Sequence, residues 1–158
     1  MEIRIIALGK IKEQYMKQGV REYIKRLQRF TKVEIIEIKE EALPSNPSPK
    51  EIEKALEWEG QEIEKHLAAT DYNYILAIEG KQRSSTQWAK EFRKQQVNGY
   101  SRFNFIIGSS HGLSDGIKNK GSKISFSTMT FPHQLMRLIL LEQIYRCFKI
   151  NHNEEYHK

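Results

Sequence analysis

Apolar and polar positions along the chain switch between two periods, and each switch marks a boundary between a strand and a helix. Residues 2–8 (Glu-Ile-Arg-Ile-Ile-Ala-Leu) are rich in Ile and stop at Gly9, as a strand does. From Lys12 to Phe30, Tyr15, Val20, Tyr23, Ile24 and Leu27 recur near helical spacing among Lys, Glu and Arg, predicting an amphipathic helix. Lys32 to Lys39 sets Val33, Ile35 and Ile38 against Glu34 and Glu37, the alternation of a half-buried strand. The linker Leu43–Pro49 holds three prolines in six residues and cannot be regular structure. Ser48 or Pro49 then opens a helix to about Leu67, with Glu51 and Glu53 suited to its first turn. Tyr72 to Glu79 reads as a strand with Gly80–Ser85 as its exit loop, and a helix runs from Ser84 or Ser85 to about Gln96, ended by Asn98-Gly99. A strand at 103–107, a short helix near 114–120, a strand at 123–127 and a helix at 132–149 complete the series. Such alternation predicts an α/β fold, a mostly parallel sheet with helices on both faces, in a single domain spanning 1–158.

The last helix departs from the amphipathic pattern. Leu135, Met136, Leu138, Ile139, Leu140, Leu141, Ile144, Tyr145 and Phe148 leave it no broad polar face. A helix apolar nearly all round must be buried on more than one side. A small sheet covers one side, so the pattern predicts a homodimer with this helix at its centre. Two polar pairs four residues apart remain on it, His133 with Arg137 and Glu142 with Arg146.

Composition narrows the function classes. The chain has 158 residues, 39% hydrophobic and 29% charged, ordinary for a soluble globular protein. The longest apolar run, Leu138–Leu141, is too short to cross a bilayer, and the N-terminus lacks a signal-peptide pattern. The lone Cys147 sits among apolar residues and is read as a buried thiol of a cytoplasmic protein. The charge is segregated. Residues 1–80 hold 13 Lys+Arg against 15 Asp+Glu, whereas residues 81–158 hold 13 against 5, so nets of −2 and +8 make up the overall +6. A basic half of this kind suits a polyanionic partner, nucleic acid above all.

Local motifs exclude several chemistries. Gly108-Ser-Ser-His-Gly112 follows a strand but is neither G-x-G-x-x-G nor a P-loop, and no G-x-S-x-G occurs. His66, His111, His133, His152 and His157 show no metal-ligand spacing, so no metal site is expected. A glycine turn is common without any ligand. Its position gives it weight: the turns after 75–79 and 103–107 and the segment 127–132 would all lie at strand C-terminal ends, where open α/β sheets form ligand crevices.

Gly108-x-x-x-Gly112-Leu113, Ser125-Phe-Ser-Thr-Met-Thr-Phe-Pro-His133, Arg137, Glu142-Gln-Ile-Tyr-Arg146 and Tyr156-His157-Lys158 form a combination that resembles the RlmH family. These are SPOUT-class methyltransferases that use S-adenosylmethionine to methylate N3 of a pseudouridine in large-subunit (23S) ribosomal RNA. The resemblance covers the whole chain. It implies an α/β knot, a C-terminal trefoil in a homodimer, which no composition could show. It implies that S-adenosyl-L-methionine lies against Leu76, Gly108 and the run Ser127, Thr128, Met129, Thr130, Phe131 and Pro132. It further implies catalytic roles for His133, His157 and Lys158 and substrate contacts by Arg137, Arg146 and Tyr156, the tail reaching the other subunit's pocket. The partner would be ribosomal RNA on assembled ribosomes.

Two positions depart from the family pattern. Ser109 stands where a second glycine is common, predicting strain if positive φ is needed there. Ala77 stands where the family commonly has an acid after the leucine. Two other readings therefore stay open: a divergent paralogue that binds RNA or ribosomes with little methyl transfer, and an enzyme retargeted to another RNA.

Overall fold

The computed structural model describes all 158 residues. Five strands form one sheet in the order β2-β1-β4-β3-β5, every neighbouring pair parallel. They are β1 (Glu2–Leu8), β2 (Lys32–Ile38), β3 (Tyr72–Gln82), β4 (Arg102–Ile107) and β5 (Ser122–Ser125). Between them run α1 (Gln14–Leu27), α2 (Pro49–Glu64), α3 (Ser85–Val97) and α4 (Asp115–Lys118), and α5 (His133–Asn151) follows. Reciprocal capping boxes fix the starts of α2 and α3: Ser48 with Glu51, and Ser84 with Gln87. Gly99, at φ +100°, turns the chain out of α3 as Asn98-Gly99 predicted.

Alternation along the strands builds two cores. Ile3, Ile5, Ala7, Tyr74, Phe103 and Phe105 point to the face covered by α1, α3 and α5. Ile6, Leu8, Ile75 and Ile106 point to the face covered by α2 and α4. The first core is strongly aromatic, with Tyr74 stacked on Phe105 at 5.0 Å and Phe30 on Phe148 at 5.2 Å. Cys147 is buried there, and desolvation pushes its thiol pKa up, so it packs as an apolar group.

Two expectations need correction. The exit loop expected at Gly80–Ser85 is in part strand. Ile124 faces both Leu76 and Lys81, so residues 77–80 leave the ladder and β3 resumes to Gln82. A Cβ on Gly80 would stand 2.6 Å from the Ile124 carbonyl carbon, so that glycine permits close backbone approach. The second correction concerns α5. Its sides pack against α1 and α3 within the protomer, so much of its apolar surface is covered without a second chain. Leu135, Met136, Leu138 and Ile139 remain half-buried. No helix is long and apolar enough to cross a membrane.

Candidate active site

A cavity of about 660 Å³ opens at the C-terminal ends of β3, β4 and β5. Leu76 and residues 77–79 form one wall, Gly108–Leu113 a second, and Ile124–Ser127 with Met129–His133 a third. This is the crevice that a parallel sheet provides where its strands end. Of the residues expected at a cofactor, Leu76, Gly108, Ser127, Met129, Thr130, Phe131 and Pro132 line it, and Thr128 does not. His133 lines it too.

Gly108 is constrained by space and not by conformation. Only Gly9, Gly99, Gly112 and Asn153 have positive φ, so Ser109 carries no left-handed strain and the cost expected there does not arise. A Cβ on Gly108 would fall 2.4 Å from the Gly112 carbonyl oxygen, which closes the turn tightly against the end of β4.

The main chain of 126–131 is almost uncommitted. The amide of Met129 donates to Ser127 Oγ at 3.0 Å, and the Ser127 carbonyl accepts from Ser125 Oγ at 2.9 Å. No other main-chain group of the segment is hydrogen-bonded within the protein. Unpaired amides and carbonyls beside apolar Leu76, Ile107, Leu113 and Phe126 suit a flat heterocycle and a neutral sugar. The residues present therefore fit S-adenosylmethionine, whose adenine and ribose need donors and acceptors but no counter-charge.

The start of α5 is stapled to the ends of β1 and β2. Arg137 is 1% exposed; it donates to Glu37 Oε2 at 2.8 Å and to the Gly9 carbonyl at 3.1 Å. Expected at the substrate, Arg137 is instead enclosed in the protomer, where it holds α5 against the sheet. His133 Nε2 lies 3.3 Å from Glu40 Oε1.

Tyr156, His157 and Arg146 gather elsewhere. Arg146 pairs with Glu142 through Nε at 3.1 Å and lies 4.8 Å from the centre of the Tyr156 ring. Tyr156 donates to Glu142 Oε1 at 3.1 Å and meets Tyr23 at 3.4 Å. Burial, together with the neighbouring Tyr23 and Glu142, pushes the Tyr156 phenol pKa up. Arg146 Nη1 approaches His157 Nδ1 at 3.1 Å; guanidinium only donates, so Nδ1 accepts and the neutral His157 ring is protonated on Nε2. None of Arg146, Tyr156, His157 and Lys158 lines the cavity of its own protomer. From Met136, which lines it, to Arg146 is about 15 Å along the helix at ~1.5 Å per residue.

Lys118 and Glu79, joined at 2.8 Å on the cavity rim, were not singled out from the sequence. The Lys118 hydrogen bond is the main cause holding the Glu79 pKa down. The available signal was an acid three residues past Leu76, beside the position where the family's own acid is missing.

A family model described as "Predicted SPOUT methyltransferase" matches residues 1–157. The chain belongs to the SPOUT methyltransferase family. It is 50% identical over 159 aligned positions to the Ribosomal RNA large subunit methyltransferase H of Streptococcus thermophilus, covering all of both chains. Proteins of the same name from Streptococcus pneumoniae and Lactobacillus delbrueckii subsp. bulgaricus are 46% and 45% identical, again over the full length of each.

Proposed function

We propose that this chain is an S-adenosylmethionine-dependent methyltransferase of large-subunit ribosomal RNA. It acts on N3 of a pseudouridine, on assembled ribosomes in the cytoplasm, as a homodimer with an α/β knot. The observation that carries this reading is the cavity at the ends of β3, β4 and β5, edged by uncommitted main chain, in a SPOUT-family chain. Its full-length likeness to proteins named as ribosomal RNA large subunit methyltransferases supplies the substrate class.

Bound in the cavity, S-adenosylmethionine supplies an electrophilic methyl group on a cationic sulfur. The protein's tasks are then alignment and proton removal. Leu76, Gly108 and the run from Ser127 to Pro132 hold the adenosine through main chain and apolar contact. His133 accepts the N3 proton, and the Glu40 carboxylate, 3.3 Å from its Nε2, steadies the imidazolium that forms. His157 suits this task less well, because its Nδ1 already faces Arg146 and its Nε2 is protonated. Arg146, Tyr156, His157 and Lys158 form the RNA-facing set. Arg146 and Lys158 meet phosphate or the carbonyls flanking N3. Since these residues lie far along α5 from their own cavity, they serve the cavity of a second copy, docked through the half-buried Leu135, Leu138 and Ile139.

The test is mass spectrometry of 23S rRNA from a strain lacking its own pseudouridine N3-methyltransferase, with and without this protein. Appearance of a methylated pseudouridine is the expected result. Ribosome binding without the mark would favour the binding-only reading, and a mark on another RNA the retargeted one.

A further inference from the structure

The titratable side chains that line the cavity at the ends of β3, β4 and β5 are His111, His133, Glu79 and Lys118. Only the last two carry fixed opposite charges, and they stand together, Lys118 Nζ 2.8 Å from Glu79 Oε1. Two local features bring them there. Residues 77–80 leave the ladder between β3 and β5, and a bulge of this kind re-aims a strand's side chains; here it takes Glu79 out of the sheet and onto the cavity rim. Lys118 is the last residue of α4, a helix started by the Ser114 cap and packed against β3. Neither group is sealed. The Lys118 side chain keeps 25% of its surface and that of Glu79 keeps 51%. The fold gains little from an ion pair this exposed. Among apolar side chains, neutral polar groups and unbonded main chain, it is the one feature of the cavity with fixed charge.

We propose that Glu79 and Lys118 hold the amino-acid end of S-adenosylmethionine, Glu79 accepting from its α-ammonium and Lys118 donating to its α-carboxylate. The assignment rests on S-adenosylmethionine occupying the cavity. It extends recognition from the adenosine, which needs no counter-charge, to the part of the molecule that needs two. A zwitterion set beside the pair gives every charge an opposite neighbour and adds no net charge to the rim. The flexible lysine stem lets Lys118 turn from Glu79 to the ligand without moving α4. A lone anion such as an RNA phosphate fits worse, because a carboxylate already stands 2.8 Å from the Lys118 ammonium. A lone cation meets the same obstacle in Lys118. The pair is thus a specificity device, favouring a nucleoside that carries an amino acid over one that lacks it.

Isothermal titration calorimetry of the full chain, with S-adenosylhomocysteine in one arm and methylthioadenosine in the other, tests this. The two ligands share the thioether-linked adenosine, and only the first carries the amino acid. The parent should bind S-adenosylhomocysteine about 20-fold more tightly, the effect of two charged contacts on an open rim. Glu79→Gln and Lys118→Met should each weaken S-adenosylhomocysteine about fivefold and leave methylthioadenosine unchanged. A pair that only braces the bulge of β3 would weaken both ligands alike when broken, and that outcome overturns the proposal. Equal affinity of the parent for the two ligands, or variants that bind S-adenosylhomocysteine as the parent does, would overturn it too while leaving the cofactor assignment intact. Binding of neither ligand to the parent would remove the cofactor assignment itself, and this role of Glu79 and Lys118 with it.

Discussion

The two ends of the sheet are built from the same parallel strands and treat their polar groups in opposite ways. At the N-terminal end, charges close on one another. Asp71, with 1% of its side chain exposed, accepts from Asn104 Nδ2 at 3.0 Å and from the Ala68 amide at 3.2 Å. Arg4 and Arg102 each stand 3.7 Å from it, and Arg102 Nε also donates to Glu2 at 2.9 Å. At the C-terminal end the main chain of 126–131 is left almost unbonded and Glu59 keeps an unmatched oxygen. Parallel pairing collects every strand end at one edge, and it leaves open whether the groups there satisfy each other or wait for a ligand. At the N-terminal edge pairing dominates and the atoms left over, Arg4 Nε and Asn104 Oδ1, are sealed inside the network; at the C-terminal edge the unbonded main chain lines a cavity, which separates the part that holds the frame from the part that binds.

Substitutions at the two ends should accordingly fail in different assays. The largest effect is expected from His133→Asn, which should slow methyl transfer to ribosomes about 100-fold or more while leaving the thermal midpoint unchanged. A matching loss of stability would show that His133 belongs to the frame. Next comes Asp71→Ala, which strands Arg4 and Asn104 in the interior and should cost ~3 kcal/mol in urea unfolding. Its transfer rate below the unfolding range should stay near that of the parent. An intact midpoint would mean that the N-terminal network is ornamental.

The smallest effect is a pair of opposite slopes. Arg102 holds the Glu2 pKa down, so Glu2 contributes stability above its unfolded pKa that is lost as pH falls through its lower folded value. Burial raises the Glu59 pKa, so stability is lost as pH rises from its unfolded value to the higher folded one. Difference curves of unfolding free energy against pH, parent minus Glu2→Gln and parent minus Glu59→Gln, should therefore rise with pH in the first case and fall in the second. Parallel slopes would erase the contrast between the ends.

Strands and helices were legible from periodicity, because each element has an apolar face of its own to bury. Gly80–Gln82 was not. Glycine and two polar residues read as a loop, and what makes them a strand is β5, some forty positions on, lying against their backbone. Arg137 was recognisable as a polar residue on an apolar helix, yet its burial depends on Glu37 and Gly9, 100 and 128 positions away. The main cavity was foreseen because strand ends are placed by the topology itself. The burial of Glu59 was missed because it looks like any solvated helix acid until the segment after β2 folds over it and Glu41 supplies an amide. Ser109 was read through a glycine's usual reason, positive φ, when the glycine beside it answers to space.

The pairing of β1 with β4 also sets an order of assembly. Glu2 lies opposite Arg102 at the middle of the sheet, so β1 waits about a hundred residues for its central neighbour to leave the ribosome. Until then it can pair only with β2, and Ile3, Ile5 and Phe103 cannot share a core. Contacts so distant along the chain slow folding. The frame therefore closes late, once β4 has emerged, and α5, which follows it, is clamped between α1 and α3 later still.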